Sequence, residues 1–136
     1  MGDDFEQHPS DMTKAIIMRM HPASTRQLFH FAKFTQTGVL TSWEDGLEGR
    51  VRPYNLTNIR TPVSIWYGEN DQLTEKSQIL RLASALNETG TLHSVTPVAW
   101  NKFNHLDFVF AKDVGKILNV PLVAHVKELF DEYDKE

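Results

Sequence analysis

The stretch Thr61–Asp71 constrains the fold of this 136-residue chain more than any other. Its apolar run, Val63–Tyr67, is entered through a proline, is rich in β-branched and aromatic residues, and stops at Gly68. Short apolar runs of this kind are typical of buried strands. Glycine permits a sharp turn, and Asn and Asp favour the loop that follows such a turn. The sequence therefore predicts a buried strand that ends in a polar turn carrying Asp71.

A helix and a second strand follow this turn. Thr74 is a suitable N-cap for a helix that reaches about Leu86. The apolar residues of that segment have helical spacing: Ile79, Leu82, Ala83 and Leu86. The run Leu92–Trp100 predicts a strand, and its Pro97 indicates an edge position or a bulge. A polar turn carrying His105 comes next.

The strand–helix–strand spacing favours a parallel pair of strands, because parallel neighbours need a crossover connection. Parallel sheets are normally wider than two strands and covered on both faces. The two strands are apolar enough to predict sheet neighbours that the sequence does not contain. The fold class is therefore α/β, and the chain has the pattern of one part of a larger fold.

The segments before Thr61 are predicted to be mainly helical. Residues 1–9 are polar and predict a loose lead-in, and a short helix is predicted over Asp11–Met20. Ser24 or Thr25 can cap a second helix that runs to Gln36 and ends at Gly38, where a C-terminal glycine is expected. The segment from Val39 to Gly49 is predicted to be irregular.

The end of the chain predicts a long final helix. A short element over Asp113–Leu118 precedes Asn119-Val120-Pro121, which predicts a break, since proline disfavours helical geometry in the residue before it. The final helix is predicted over Leu122–Tyr133. Its inward face is predicted to comprise Leu122, Val126, Leu129, Phe130 and Tyr133.

Composition excludes several classes of function. Eighteen acidic and fourteen basic side chains give a net charge of −4 without a basic stripe, which argues against nucleic-acid binding. Zero cysteines exclude disulfides and thiolate metal sites. No apolar stretch approaches the ~20 residues of a membrane span, and the acidic N-terminus does not resemble a signal peptide. On these features alone the chain is expected in the cytoplasm.

Histidine spacing does not indicate a metal site, and no cofactor is predicted. The five histidines other than His105 lack ligand spacing: His8, His21, His30, His93 and His125.

Four sequence blocks, in order, resemble the C-terminal third of an acid lipase of the gastric lipase and lysosomal acid lipase type. These lipases are α/β-hydrolases, and the resemblance covers about residues 20–110. The blocks are His21-Pro22-Ala23-Ser24-Thr25 with Leu28-Phe29-His30-Phe31, Tyr54-Asn55-Leu56-Thr57-Asn58-Ile59, Pro62 through Asp71, and Asn104-His105-Leu106-Asp107-Phe108.

The resemblance implies the C-terminal portion of an α/β-hydrolase fold. Residues 1–50 correspond to the end of the cap, and residues 51–136 to the end of the core with the last two strands of the sheet. Asp71 and His105 correspond to the acid and the base of a Ser-Asp-His triad that hydrolyses lipid esters such as triacylglycerols or sterol esters. In such a triad histidine takes the serine proton and the acid orients the histidine.

The nucleophile is the missing part of this assignment. The sequence contains no Gly-x-Ser-x-Gly motif and no His-Gly loop for an oxyanion hole, so the isolated chain is expected to be inactive as a hydrolase and poorly stable alone. The resemblance also implies a secreted or lysosomal protein, in which the triplets beginning at Asn55 and Asn87 are candidate N-glycosylation sites.

Other interpretations stay open at this stage. His105 is alternatively an ordinary surface residue and Asp71 a turn-forming residue, while Asp107 is expected to bond local backbone rather than His105. The aromatic residues Phe29, Phe31, Phe34 and Trp43 indicate either an acyl-chain site or core packing. The alternative functions are a non-catalytic interaction module, which pairs with a full-length lipase chain, and a carboxylesterase of other specificity.

Overall fold

The computed structural model describes residues 4–19 and 22–134, and helices predominate there. The helices are α1 (Ser10–Arg19), α2 (Thr25–Thr37), α3 (Trp43–Leu47), α4 (Lys76–Glu88), α5 (Asp107–Phe110) and α6 (Val120–Tyr133). The strands are β1 (Val63–Tyr67) and β2 (Leu92–Pro97). A 3-10 turn spans Leu56–Asn58 and a π-helical turn spans Gly115–Asn119. Met20 and His21, which the sequence predictions included, lie outside the described residues.

The two strands form a parallel pair, as the sequence predicted. Ile65 lies opposite Val95, Tyr67 lies opposite Pro97, and the register is irregular between Val63 and Ser64. β1 has the predicted bounds, whereas β2 ends at Pro97 instead of Trp100. A proline has no backbone N–H to donate. Beyond it the chain folds back on itself in successive turns, which removes it from the sheet.

The buried core lies beneath the end of the sheet where both strands terminate. Val98, Phe103 and Leu118 form its centre, and the Phe103 side chain is 0% exposed. Trp66 and Trp100 pack around them. α4 packs against both strands and buries Ala83 and Leu86, two of the four residues on its predicted apolar face. These contacts fix the position of the loops that follow the strands.

Two predictions about helix ends were wrong. Thr74 does not cap α4; Glu75 occupies the N-cap without a side-chain cap, and the Thr74 hydroxyl donates to Asp71 instead. Asn119-Val120-Pro121 does not interrupt the final helix, because the π-helical turn continues directly into α6. Pro121 lies in the first turn of α6, directly after the π-helical turn.

The N-terminal helical region keeps its predicted helix but not the predicted burial. Ser24 caps α2 through Gln27 N, and Gly38 ends the helix with φ of 66°. No described side chain of α2 is buried, and Phe29 is 68% exposed. The core-packing interpretation is therefore wrong for Phe29 and for the exposed Phe31.

Two further expectations need correction. The segment predicted to be irregular contains α3, whose start is capped by Ser42. On α6, Val126, Phe130 and Tyr133 are exposed although they were predicted to face inward. α6 approaches the sheet through His125 instead, whose Nε2 lies 2.8 Å from Ser64 Oγ. With two strands among the described residues, the sheet offers α6 little apolar surface to cover.

Among residues 4–19 and 22–134, none of the helices combines the length and the apolar character that crossing a membrane requires.

Candidate active site

Asp71 and His105 meet at the end of the sheet. Asp71 lies in the loop after β1, and His105 lies in the loop region after β2. Because the strands are parallel, both loops leave the same edge of the sheet. His105 Nδ1 lies 3.0 Å from Asp71 Oδ2. The structure thus brings together the two residues that the sequence singled out, across 34 positions of the chain.

Close backbone contact joins the two loops. Asn70 N donates to the Phe103 carbonyl at 3.1 Å, and Val98 N donates to the Tyr67 carbonyl at 2.9 Å. A Cβ on Gly68 would lie 2.3 Å from the Phe103 carbonyl oxygen. The chain turns after Gly68, as predicted, since Asp71 N donates to the Gly68 carbonyl at 3.3 Å, but Gly68 has no positive φ that would require glycine. Its lack of a side chain lets the His105 loop approach the Asp71 loop.

The Asp71 carboxylate is held by four hydrogen bonds. Oδ1 accepts from Leu73 N at 2.8 Å and from Thr74 N at 3.0 Å. Oδ2 accepts from Thr74 Oγ1 at 2.5 Å and from His105. Burial raises the pKa of Asp71, but the hydrogen bonds from Thr74, Leu73 and His105 outweigh it and hold the pKa below its ordinary value. Asp71 is thus an ionised acceptor that both forms a turn and orients His105.

His105 presents its second ring nitrogen away from Asp71. The ionised carboxylate can only accept, so Nδ1 carries the hydrogen of this contact and the neutral ring has its lone pair on Nε2. The His105 side chain is 46% exposed, and no described residue hydrogen-bonds to its Nε2. This arrangement can accept a proton at Nε2 while Asp71 stabilises the resulting imidazolium.

Asp107 belongs to a different contact. It is fully buried, and its Oδ2 accepts from Asn104 N at 2.5 Å, the kind of local backbone bond that the sequence predicted. Its Oδ1 contacts His8 Nε2, a partner that sequence reasoning missed. Burial raises the pKa of Asp107, against the lowering effect of both hydrogen bonds. His8 lies 99 positions away, so no local pattern signals the pair.

Both candidate glycosylation residues are exposed. Asn55 precedes the 3-10 turn, and its Oδ1 accepts from Thr57 N at 3.0 Å and from Thr57 Oγ1 at 2.7 Å. Asn87 lies in the last turn of α4. Glycosylation at Asn55 and Asn87 stays a prediction.

Phe29 of α2 and Trp43 of α3 line one cavity, whereas Phe31 and Phe34 line another. The first cavity has a volume of about 270 Å³ and is lined by Phe29, His30, Lys33, Trp43, Gly46 and Leu47. Neither Asp71 nor His105 lines it. In the described part of the chain, no three His, Asp or Glu side chains are grouped so that they could hold a metal ion.

The chain is similar in sequence to known lipases. The chain is 35% identical over 75 residues to gastric triacylglycerol lipase from Bos taurus, covering 55% of this chain and 18% of that lipase. It is 24% identical over 124 residues to gastric triacylglycerol lipase from Homo sapiens, covering 83% of this chain and 30% of that lipase. It is 27% identical over 116 residues to Lipase 1 from Drosophila melanogaster, covering 76% of this chain and 25% of that protein.

The alignments cover a small part of each lipase. No protein-family profile and no solved structure matches the chain. The chain spans between 18% and 30% of the length of these lipases. Within those limits, the similarity supports a relationship to the lipases and implies an α/β-hydrolase type of fold, with which the helices and the parallel strand pair are consistent.

Proposed function

We propose that this chain carries the acid and the base of a lipase-type serine ester hydrolase. Asp71 is the acid and His105 is the base. The observation that carries the proposal is the 3.0 Å contact between His105 Nδ1 and the Asp71 carboxylate, with Nε2 left open to a reacting group. The similarity to gastric triacylglycerol lipases supports the same reaction class.

In the proposed reaction His105 moves a proton twice. Its Nε2 takes the proton of a serine hydroxyl as the serine oxygen attacks the ester carbonyl, and it returns that proton to the leaving alcohol. Water then repeats the sequence on the acyl-enzyme. Asp71 fixes the tautomer and the ring orientation of His105 and stabilises its charged form. The 136 residues contain no Gly-x-Ser-x-Gly motif, so the proposal assigns the acid and the base alone.

The proposed substrates are esters of lipids, such as triacylglycerols or sterol esters, and the reaction needs no cofactor. The apolar cavity around Phe29, Trp43 and Leu47 supports an acyl group as part of the ligand, because apolar walls recognise alkyl chains through burial alone. A secreted or lysosomal location belongs to the same proposal. A carboxylesterase that prefers smaller esters would use the same pair, and comparison of tributyrin with a long-chain triacylglycerol distinguishes the two.

The experiment compares variants of the protein expressed from its gene. His105→Ala should lower kcat for ester hydrolysis by about 10⁴-fold or more, in line with losses of triad members in serine proteases. His93→Ala is the matched control, because His93 is an exposed histidine of β2 that contacts neither Asp71 nor His105. Equal activity in the His105→Ala protein and the wild type would contradict the proposal.

The 136-residue chain expressed alone provides a second measurement. It should not turn over esters, because losing the nucleophilic serine costs ~10⁶-fold in the subtilisin triad. Turnover that His105→Ala abolishes would show that these residues contain their own nucleophile, and the restriction of the proposal to acid and base would then be wrong.

A non-catalytic interaction module is the second candidate. It is favoured by the exposed apolar side chains of α2 and α6 and by the outer edges of β1 and β2, which no described strand covers. Unpaired strand edges and apolar faces are typical pairing surfaces. In this case the purified chain should co-elute with a full-length lipase in size-exclusion chromatography, and His105→Ala should leave that complex intact.

A further inference from the structure

The N-terminal segment is hydrogen-bonded to residues on both sides of the His105 loop. We call Asp4–His8 the N-terminal strap. A hydrogen bond from Gln7 N to Asp4 O, 3.3 Å long, closes a turn within it. Asp4 Oδ2 accepts from Trp100 Nε1 at 2.6 Å, which attaches the start of the strap to the chain just after β2. The expectation of a loose lead-in is therefore wrong for this part of residues 1–9.

Gln7 attaches the middle of the strap. Its carbonyl accepts from Lys112 N at 3.0 Å, and its side-chain Oε1 accepts from Asp113 N at 3.1 Å. Asp4 and Gln7 are both buried, which is uncommon for polar side chains unless they are hydrogen-bonded. The strap is thus a packed part of the fold, anchored on either side of the His105 loop.

The third anchor, His8, reaches the residue that closes the His105 turn. Asp107 N donates to Asn104 O at 3.2 Å, while Asn104 N donates to Asp107 Oδ2 at 2.5 Å. Leu106 N donates to Asn104 Oδ1 at 2.9 Å. His105 is therefore part of a turn that Asp107 closes through both its backbone and its side chain. The direction of the His105 ring depends on that closure.

The other carboxylate oxygen of Asp107 depends on the strap. His8 Nε2 is the hydrogen-bond partner of Oδ1 among the described residues, and the His8 side chain is largely covered. Leaving a buried carboxylate oxygen without a donor is unfavourable, because the protein then withholds the hydrogen bonds that water would supply. Removing the His8 donor should therefore pull Asp107 toward solvent and open the turn.

We propose that His8 is a positioning residue: by donating to Asp107 it holds the Asn104–Asp107 turn in the conformation that places His105 Nδ1 on Asp71. The inference rests on the proposed function for the significance of His105, but the hydrogen bond that it concerns can be measured without any catalysis. Its action passes through Asp107, so His8 itself need not contact a substrate.

The test is proton NMR of the protein with ¹⁵N-labelled histidine. In the wild type, the Nδ1 proton of His105 should give a downfield resonance that Asp71→Asn removes. His8→Phe keeps a ring at position 8 but has no donor, and it should lose this resonance. His8→Gln restores an N–H donor and should retain it.

Glu6→Ala is the matched control, because it removes an ion pair of the same strap, Glu6 with Lys102, without touching Asp107. This variant should keep the His105 resonance. A folded His8→Phe chain whose resonance matches the wild type overturns the inference. Should His8→Phe not fold, His8→Gln decides: loss of the resonance in a folded His8→Gln chain overturns the inference as well.

The same spectra separate this inference from the proposed function. Ring ¹⁵N shifts that assign the Nε2–H tautomer to His105 in the wild type, or an Asp71→Asn chain that leaves the resonance unchanged, contradict the acid–base pair itself. A resonance that depends on Asp71 but is unaffected in the His8→Phe chain contradicts only the role of the strap.

Discussion

The region around Asp71 and His105 and the region of α2 and α3 are held together in different ways. In the first, backbone groups of separate loops bond to one another over a buried Phe103. In the second, no described side chain of α2 is buried, and α3 is tied to the following segment by the ion pairs of Asp45 with Arg50 and Arg52. Ion pairs and helix capping thus hold the region of α2 and α3 together, whereas burial holds the region around Asp71 and His105 together.

The difference shows what an amphipathic pattern can specify. The spacing of apolar residues specified helices in both regions, since α2 and α4 both exist close to their predicted bounds. Only α4 has a sheet to pack against, and only α4 buries residues of its apolar face. Periodicity fixes which side of a helix is apolar; a partner surface has to be present before that side becomes core.

The largest expected contrast comes from two phenylalanines, one in each region. Phe103→Ala should lower the free energy of unfolding by about 3–5 kcal/mol, or unfold the chain, because it removes a fully buried ring. Phe29→Ala should change it by no more than about 0.5 kcal/mol, since that ring is exposed. Urea denaturation measures both changes. Similar losses of stability in the two variants would contradict the claim that burial stabilises only the region of Phe103.

The next largest effect concerns the close approach of the Asp71 loop and the His105 loop. Gly68→Ala places a methyl group against the Phe103 carbonyl and should cost about 1–3 kcal/mol of stability through backbone displacement. Gly115→Ala is the matched control, because a Cβ there meets nothing within 4 Å. Thermal unfolding followed by circular dichroism gives both values. A Gly68→Ala chain as stable as Gly115→Ala would show that the loops are not in close contact.

Helix capping gives a smaller effect in the α2 region. Ser24→Ala removes the side-chain acceptor of Gln27 N and should cost about 0.5–1 kcal/mol, at the low end for N-caps because the bond is 3.4 Å long. Ser10→Ala is a useful comparison, since Ser10 is the first residue of α1 rather than its N-cap. Equal stability of the Ser24→Ala chain and the wild type would show that capping by Ser24 does not stabilise α2.

The smallest effect is the acid response of Asp45. Hydrogen bonds from Arg52 and Arg50 lower the pKa of Asp45 from 3.8 to about 2. A carboxyl group whose pKa is lowered on folding stabilises the fold above its unfolded pKa, and that contribution disappears as the pH falls from about 3.8 toward 2. The stability difference between wild type and Asp45→Asn should therefore shrink over this range.

Solvent screening keeps the Asp45 contribution small, because both arginines are largely exposed. Asp131→Asn, at an exposed position of α6, serves as the control for the loss of a surface carboxylate. A difference that is constant from about pH 5 to about pH 2 would contradict the ion-pair account of this region.

The sequence was most informative where the determinants are local. The bounds of β1, the capping of α2 by Ser24 and the placement of Gly38 depend on residues within a few positions of one another, and the parallel pairing follows from the strand–helix–strand order. Asp71 and His105 were singled out by their place after two strands, and the structure brings them into contact. Their catalytic role stays a prediction.

What the sequence did not reveal depends on contacts between distant segments. The reason for Gly68 is the Phe103 carbonyl, 35 positions along the chain, and the partner of Asp107 is His8 at the other end. Thr74 is a good helix cap by type, yet Asp71 competes for its hydroxyl. For Gly68 and Asp107 a distant partner determined the outcome, whereas Thr74 gives its hydroxyl to Asp71, three positions earlier.

The central claim is that Asp71 and His105 act as one unit in ester hydrolysis. The most direct measurement is kcat/KM for tributyrin hydrolysis by the protein with Asp71→Asn, with His105→Ala and with both substitutions. The account predicts that the double variant is no slower than His105→Ala, because Asp71 acts only through His105. Losses that multiply in the double variant, or single variants that retain wild-type activity, would contradict it.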